Sequence, residues 1–205
     1  LAMILEGSFG EISEKVKEAL RRVFTSNERL IKLVDEFLNI SRLEMGRVEY
    51  KFSKFNLREL ISELFREYEF KAKGKNLDFK SAFEGNFFEI YSDQEKLYQI
   101  ISNLVGNAIN YTKKGSIEIK AKFIQDINKF IISVKDTGMG LTFEERALIF
   151  RQFVRAGSGR EVNPQGAGLG LYLARLLIKS LGGEIWVESE KGKGSVFYLE
   201  IPVFP

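Results

Sequence analysis

Three asparagines lie along the segment SNLVGNAINYT, residues 102–112: Asn103, Asn107 and Asn110, four and then three positions apart. On a helix that spacing gathers three amides on one face. Asn is a poor helix former because its side chain competes with the backbone for hydrogen bonds. Lys, Glu or Gln would wet a helix face more cheaply. Leu97, Ile100, Ile101, Leu104, Val105, Ala108 and Ile109 gather on the opposite side at 3.6 residues per turn, so the amides do not serve this helix's own core. A solvated face would account for one Asn. Three in line point to a ligand, since an amide oxygen can coordinate Mg²⁺ and an amide nitrogen can donate to phosphate.

Three further segments could join that chemistry. In KDTGMG, an apolar run delivers Asp136 to a strand end, with Gly138 and Gly140 behind it. A carboxylate there can accept from an amino group on a flat heterocycle, while the glycines let a ring approach the backbone. The plain alternative is an Asp-X-Gly turn. In GAGLG, Gly166, Gly168 and Gly170 flank Leu169 and open an apolar helix. Free amides at a helix start make an anion site, or the glycines serve close packing. The spacing is neither the dinucleotide fingerprint nor a Walker loop. In LIFRQFVRAGSGR, Phe150 and Phe153 stand where a helix gives way to the Gly-rich stretch 155–167, which reads as a mobile loop. The two Phe could be core, and Arg155 and Arg160 either surface charges or phosphate contacts.

The composition narrows the chemistry. There is no His and no Cys. That excludes Ser-His-Asp catalysis, His- or Cys-ligated zinc, disulfides and thiolate nucleophiles, and leaves only a hard, oxygen-ligated metal. The absence of Cys fits a reducing compartment. A formal charge of +3 with interleaved signs gives no nucleic-acid stripe. No apolar run is long enough to span a bilayer.

The elements that must position these residues follow from periodicity. Residues 1–10 read as the tail of an apolar helix that begins without a cap, which predicts a longer helix upstream. A long helix runs from about Ser13 to Met45, with Val16, Leu20, Val23, Leu30, Val34 and Phe37 on one seam and Phe24, Ile31 and Leu38 on a second stripe. A face that wide suits a helical bundle. Either a second copy of the chain or the following domain could cover it. GRVEYKF then alternates as a strand, Asn56 and Glu59 resemble a capping box for a helix to about Lys73, and NLDFKSAF and FFEIY read as strands. Asp93 caps the Asn-bearing helix, 93–112. GSIEIKAKF and NKFIISVKD form a hairpin, Thr142 and Glu145 a capping box, LGLYLARLLIKSL a helix, and GGEIWVESEKGKGSVFYLEIP two strands. The pattern predicts an α+β domain with a mixed, largely antiparallel sheet and helices on one face.

Taken together, the order of these segments closely resembles the ATP-binding domain of sensor histidine kinases, which share a superfamily with type II topoisomerases and a chaperone ATPase. NLVGNAINYT looks like their N box, DTGMG and GAGLGL their glycine boxes, IFRQF their F box, and GKGSVF their closing strand. LVDEFLNISRLEMG resembles the second helix of their dimerisation and phosphoacceptor domain. The resemblance implies a Bergerat-type ATP-binding fold over 47–205, preceded by a partial helical hairpin, 1–46, through which the chain would homodimerise. It implies ATP or ADP with Mg²⁺ as ligands. Asn107 would hold the metal, with Asn103 supporting metal or phosphates. Asp136 would bind the adenine amino group, and Tyr111 would line the nucleotide. Gly138, Gly140, Gly166, Gly168 and Gly170 would let backbone approach the ligand. Asn110, Phe153, Arg155 and Leu169 complete the expected site. Asn110 stands where many relatives carry Lys or His, and Asn103 where ATP-hydrolysing cousins place a Glu base, so little hydrolysis is expected. The family's acceptor His is expected upstream of Leu1, so this chain would not phosphorylate itself on His. The implied protein is a cytoplasmic protein histidine kinase, or the cytoplasmic part of a membrane-bound sensor, relaying phosphate to the receiver domain of a response regulator. A degenerate, non-catalytic dimeric scaffold is the main rival, and a superfamily kinase acting on protein Ser a third reading.

Overall fold

The computed structural model describes residues 2–8, 10, 12–156 and 167–204. Residues 157–166, among them Arg160 and Gly166 and most of the stretch read as a loop, lie outside the described residues. In chain order the elements are α1 (Ala2–Leu5), α2 (Glu14–Glu44), β1 (Phe52–Asn56), α3 (Leu57–Gly74), β2 (Leu77–Glu84), β3 (Glu89–Asp93), α4 (Gln94–Tyr111), β4 (Gly115–Ile124), β5 (Lys129–Asp136), α5 (Phe143–Leu148), α6 (Gly170–Ser180), β6 (Glu184–Glu190) and β7 (Gly194–Pro202). Five strands form one sheet in the order β2-β4-β5-β7-β6, parallel between β2 and β4 and antiparallel elsewhere. The expected mixed, largely antiparallel sheet is what forms.

The core lies between the sheet and the helices α3, α4 and α6. From β5, Phe130, Ile132 and Val134 enter it at every second position. They are flanked by Ile119 and Ala121 of β4 and by Phe197, Leu199 and Ile201 of β7. Leu57, Leu60, Ile61 and Leu64 of α3, the apolar set of α4, and Leu173, Ala174, Leu177 and Ile178 of α6 face them. All seven apolar residues of α4 picked out by period are buried.

Local signals set the helix starts. Asp93 Oδ1 accepts from the Lys96 amide at 3.0 Å and begins α4. Thr142 and Glu145 form a complete capping box at α5. At α3 only half of the expected box exists: Asn56 Oδ1 accepts from the Arg58 amide at 2.9 Å, and the helix is capped from that side alone.

Two further expectations change. The strand read in GRVEYKF starts only at Phe52, where β1 pairs with β3 in a separate two-stranded sheet that sequence reading did not anticipate. Before it, the Lys51 amide donates to the Asp93 carboxylate at 2.8 Å. The alternation of Val48 and Tyr50 therefore reflects packing at the exit of α2, not a ladder.

The second change concerns α2. Neither apolar stripe read from the sequence packs on the following domain: Val16, Val23, Leu30, Ile31, Val34, Phe37 and Leu38 are exposed. Instead a third stripe does so. Ile40, 3% exposed, joins the core, with Leu33 and Leu43 packed beside it. At its C-terminal end Glu44 accepts from the Tyr172 hydroxyl at 2.7 Å and from Gln152 Nε2 at 3.1 Å. Thus α2 lies along α6 and leaves its widest apolar face outward.

Ile40→Ala should test this docking. Removing a buried Ile side chain costs about 2 kcal/mol or more. Hydrogen exchange should speed up across residues 33–44 while the amides of β4, β5 and β7 keep their protection. Unchanged exchange over 33–44 would show that α2 is not held at Ile40.

Candidate functional site

The β5 alternation that buries Phe130, Ile132 and Val134 continues to Asp136, so the last core-facing position of the strand is a carboxylate. Its register partners are Ile117 on β4 and Ser195 on β7. Asp136 is 6% exposed. Its Oδ1 accepts from the Gly138 amide at 2.8 Å, and the Ser195 amide also donates to the carboxylate. Burial pushes its pKa from an ordinary 3.8 up to about 6, and the two amides hold it from rising further.

Around this carboxylate opens a cavity with an empty volume of about 1150 Å³, mouth included. Asn103, Asn107 and Asn110 of α4, and Tyr111 with them, line one side. Asp136, Gly140 and Ser195 line the inner end, and Arg155, Gly168 and Gly170 complete the wall. Nine of the thirteen residues singled out by sequence and resemblance share this wall. Gly138, Leu169 and Phe153 do not line it: Leu169 is buried, and Phe153 stands 62% exposed with φ +60°. Gly166 lies outside the described residues.

The amide row is oriented. Asn107 Nδ2 donates to Asn103 Oδ1 at 3.0 Å. That bond occupies the Asn103 oxygen and turns the Asn107 oxygen free of it, available to a hard cation. Among the described residues no group of three or more His, Cys, Asp or Glu could hold a metal. A cation here would therefore draw on amide oxygen, water and the ligand's own oxygens, as Mg²⁺ does beside phosphates.

The glycines have a structural reason distinct from ligand approach. A Cβ on Gly170 would sit 2.2 Å from Asn103 Nδ2, so glycine lets the start of α6 close on the Asn row. Gly140 has φ +61°, and a Cβ there would meet the Glu190 carbonyl at 2.0 Å. α6 starts without a side-chain cap, so Gly170 and Leu171 bring uncapped backbone to the cavity wall. That suits an anionic group.

Sequence reading missed several wall residues. Ser195 was legible in GKGSVF as a strand residue, but its pairing with Asp136 needs the register. Met139, Leu141, Ile149 and Phe197 supply the apolar lining expected around a flat ring. Leu33 and Glu36 of α2 also reach the wall, because α2 docks on the stripe 33–36–40–43. In the sequence Glu36 interrupts that stripe and hides it. A second groove, between α2 and α4, shares Glu36, Asn103, Asn107, Asn110 and Gly170 with the first.

The chain is similar to known proteins over most of its length. The family described as histidine kinase-, DNA gyrase B-, and HSP90-like ATPase matches residues 92–205. The sensor protein GacS of Pseudomonas syringae pv. syringae is 31% identical over 195 residues, covering 93% of this chain and 22% of that protein. The sensory/regulatory protein RpfC of Xanthomonas campestris pv. campestris is 30% identical over 192 residues, covering 91% of this chain and 26% of that protein. This chain thus spans about a quarter or less of these relatives. Among solved structures, full-length ShkA in complex with AMPPNP superposes with a TM-score of 0.84 at 28% identity, over 98% of this chain and 42% of that one. The histidine kinase ThkA in complex with the response regulator TrrA gives a TM-score of 0.75 at 28% identity, over 100% of this chain and 58% of that one.

The buried carboxylate makes a direct prediction. A ¹³C-detected titration should place the Asp136 midpoint near 6 rather than at 3.8. Because the folded value is the higher one, this group's contribution to stability is fully present below about pH 4 and is lost as the pH rises through 6. Asp136→Asn should flatten that part of the pH dependence of unfolding. A midpoint near 4 would show the carboxylate to be solvated.

Proposed function

Because the chain belongs to the family of histidine kinase-, DNA gyrase B- and HSP90-like ATPases, and is strongly similar to sensor histidine kinases, we propose that the cavity binds Mg-ATP. In this reading residues 47–205 are the catalytic domain that delivers the γ-phosphoryl group to a His. Residues 1–46 are part of the helical hairpin that dimerises and carries the acceptor. The observation that carries the proposal is one cavity bounded at one end by a buried carboxylate and along one side by an oriented row of amides.

The two ends have separate tasks. Asp136 accepts from the exocyclic amino group of the base, while Met139, Leu141, Ile149 and Phe197 exclude water from its faces. Tyr111 lines the nucleotide. Asn107 offers its oxygen to Mg²⁺, and Asn103 fixes the Asn107 amide in place. Mg²⁺ held there would supply charge neutralisation at the phosphate oxygens. Asn110, Arg155 and the uncapped start of α6, with Gly168 and Gly170, contact the phosphates. Gly138 holds the Asp136 carboxylate through its amide, Leu169 packs in the core at the start of α6, and Gly140 shapes the turn. Phe153 and Gly166 belong to the nucleotide-binding set that the family resemblance implies. Transfer then depends on positioning and charge neutralisation, with no side chain forming a covalent intermediate.

No helix among the described residues is long and apolar enough to cross a membrane. We assign the protein to the cytoplasm, either free or as the cytoplasmic part of a sensor. The receiver domain of a response regulator is its downstream partner, and a second copy of the chain is the partner for the outward face of α2, where Val16, Val23, Leu30, Val34 and Phe37 lie exposed.

The test is transfer from γ-labelled ATP to a separately supplied helical hairpin bearing the acceptor His. Label should appear on the supplied His with Mg²⁺ present. Asn107→Ala should lower the rate at least about tenfold, in line with loss of a metal-site side chain. Nucleotide binding with no transfer to any cognate hairpin would favour the scaffold reading.

A further inference from the structure

Thr112 ends α4 one residue beyond Tyr111 and is 0% exposed. Its amide donates to the Ala108 carbonyl at 3.1 Å, but its hydroxyl has no hydrogen-bond partner. A buried hydroxyl left unpaired costs about 1–3 kcal/mol, a burden Val would avoid at the same volume. The surroundings give that hydroxyl a direction. The point where a Cβ on Gly138 would sit lies 3.0 Å from Thr112 Oγ1, 2.7 Å from Asp136 Oδ1 and 2.6 Å from the Tyr111 carbonyl oxygen. Three oxygens therefore crowd one small volume against Gly138, and only because that residue lacks a side chain. The Tyr111 carbonyl belongs to the peptide joined to Thr112 and is fixed by the backbone. The carboxylate is the acceptor whose torsions can bring it to the hydroxyl.

The other hydroxyl nearby is already committed. Ser189 Oγ donates to the Gly194 carbonyl at 2.8 Å and accepts from the Leu141 amide at 2.8 Å. The 2.9 Å contact between Ser189 and Ser195 must then be made with the Ser195 proton. Ser195 faces the cavity as an acceptor, so Thr112 is the neighbouring hydroxyl whose proton is unassigned.

We propose that Thr112 is a positioning residue for base recognition: its hydroxyl donates to the Asp136 carboxylate and holds it charged, aimed at the exocyclic amino group of a purine. The inference rests on the nucleotide reading of the cavity and adds to it a determinant of base choice. A charged Asp136 only accepts, so it takes the amino group of adenine and repels the keto oxygen of guanine. A neutral Asp136 can donate and loses that preference. The groups around Asp136 leave room for such control. Ile117 is its register partner on β4 and Ser195 on β7, Gly138 donates to it from the following loop, and Tyr111, the titratable hydroxyl among the described lining residues, shares the cavity wall with it and Met139. Glu36 and Arg155 are the charged side chains on the wall of the same cavity. Burial and the amides of Gly138 and Ser195 are what displace the Asp136 pKa, so a donated hydroxyl hydrogen bond acts on a carboxyl with few competitors.

The experiment is calorimetric titration with ADP from pH 5 to 8.5, and with GDP at pH 7, for the unaltered chain, Thr112→Val and Thr112→Ser. Affinity for ADP should fall on the acid side as Asp136 takes up its proton. Thr112→Val should move that midpoint upward by about one pH unit and narrow the ADP-to-GDP ratio about tenfold, as loss of a hydrogen bond to a charged group implies. Thr112→Ser should restore both. A purely structural threonine predicts that Thr112→Val is as stable or more so, with midpoint and base ratio unmoved, and that result overturns the inference while the nucleotide site stands. Failure of the folded, unaltered chain to bind ADP at any pH overturns the nucleotide reading and this inference with it. Should Thr112→Val not fold, Thr112→Ala and a ¹³C titration of Asp136 give the same two-way reading.

Discussion

A carboxylate at a core position is the constraint on which the rest of the site depends. The alternation of β5 would place an apolar side chain at residue 136, and the chain places Asp136 there instead. Such a group can stay buried only if dipoles replace water around it. The amides of Gly138 and Ser195 do so. Their placement in turn demands glycine nearby. A Cβ on Gly194 would lie 2.0 Å from the Asp136 carbonyl, and one on Gly138 would lie 2.7 Å from Asp136 Oδ1. The two glycine-containing turns at the ends of β5 and β7 thus follow from one buried charge.

The second organising feature is the division of α4 into two faces. One anchors the helix on the sheet through Leu97, Ile101, Leu104, Val105 and Ala108. The other presents amides to the cavity, and a bond between two of them fixes which atom faces the ligand. Gly170 lets α6 approach closely enough for its uncapped start to meet that row. Apolar packing therefore sets the distance between the parts, and a few polar groups set what those parts can hold.

Much of this was legible in the sequence, because the signals were local. Residue spacing marked the amide row, and a strand followed by Asp-X-Gly marked the carboxylate. Asp93 and Thr142 marked helix starts. Features that depend on pairing between distant segments were not legible. Ser195 meets Asp136 only through the β5–β7 register. The two-stranded β1–β3 sheet pairs segments some forty residues apart, with the Lys51 amide donating to Asp93 at its end. The docking of α2 was not legible for a physical reason. The most apolar seam of that helix is left outward, and the stripe that binds the domain is broken by Glu36, which serves the cavity wall instead.

The central claim is that Asp136 and the amide row bound one nucleotide site with separable ends. Calorimetric titration of the chain and of Asp136→Asn with ADP and with a non-hydrolysable ATP analogue, with and without Mg²⁺, tests it most directly. The account predicts binding that weakens when Mg²⁺ is withheld and that is lost in Asp136→Asn whether or not the metal is present. A folded, unaltered chain that binds neither nucleotide would contradict it, as would binding indifferent to Asp136.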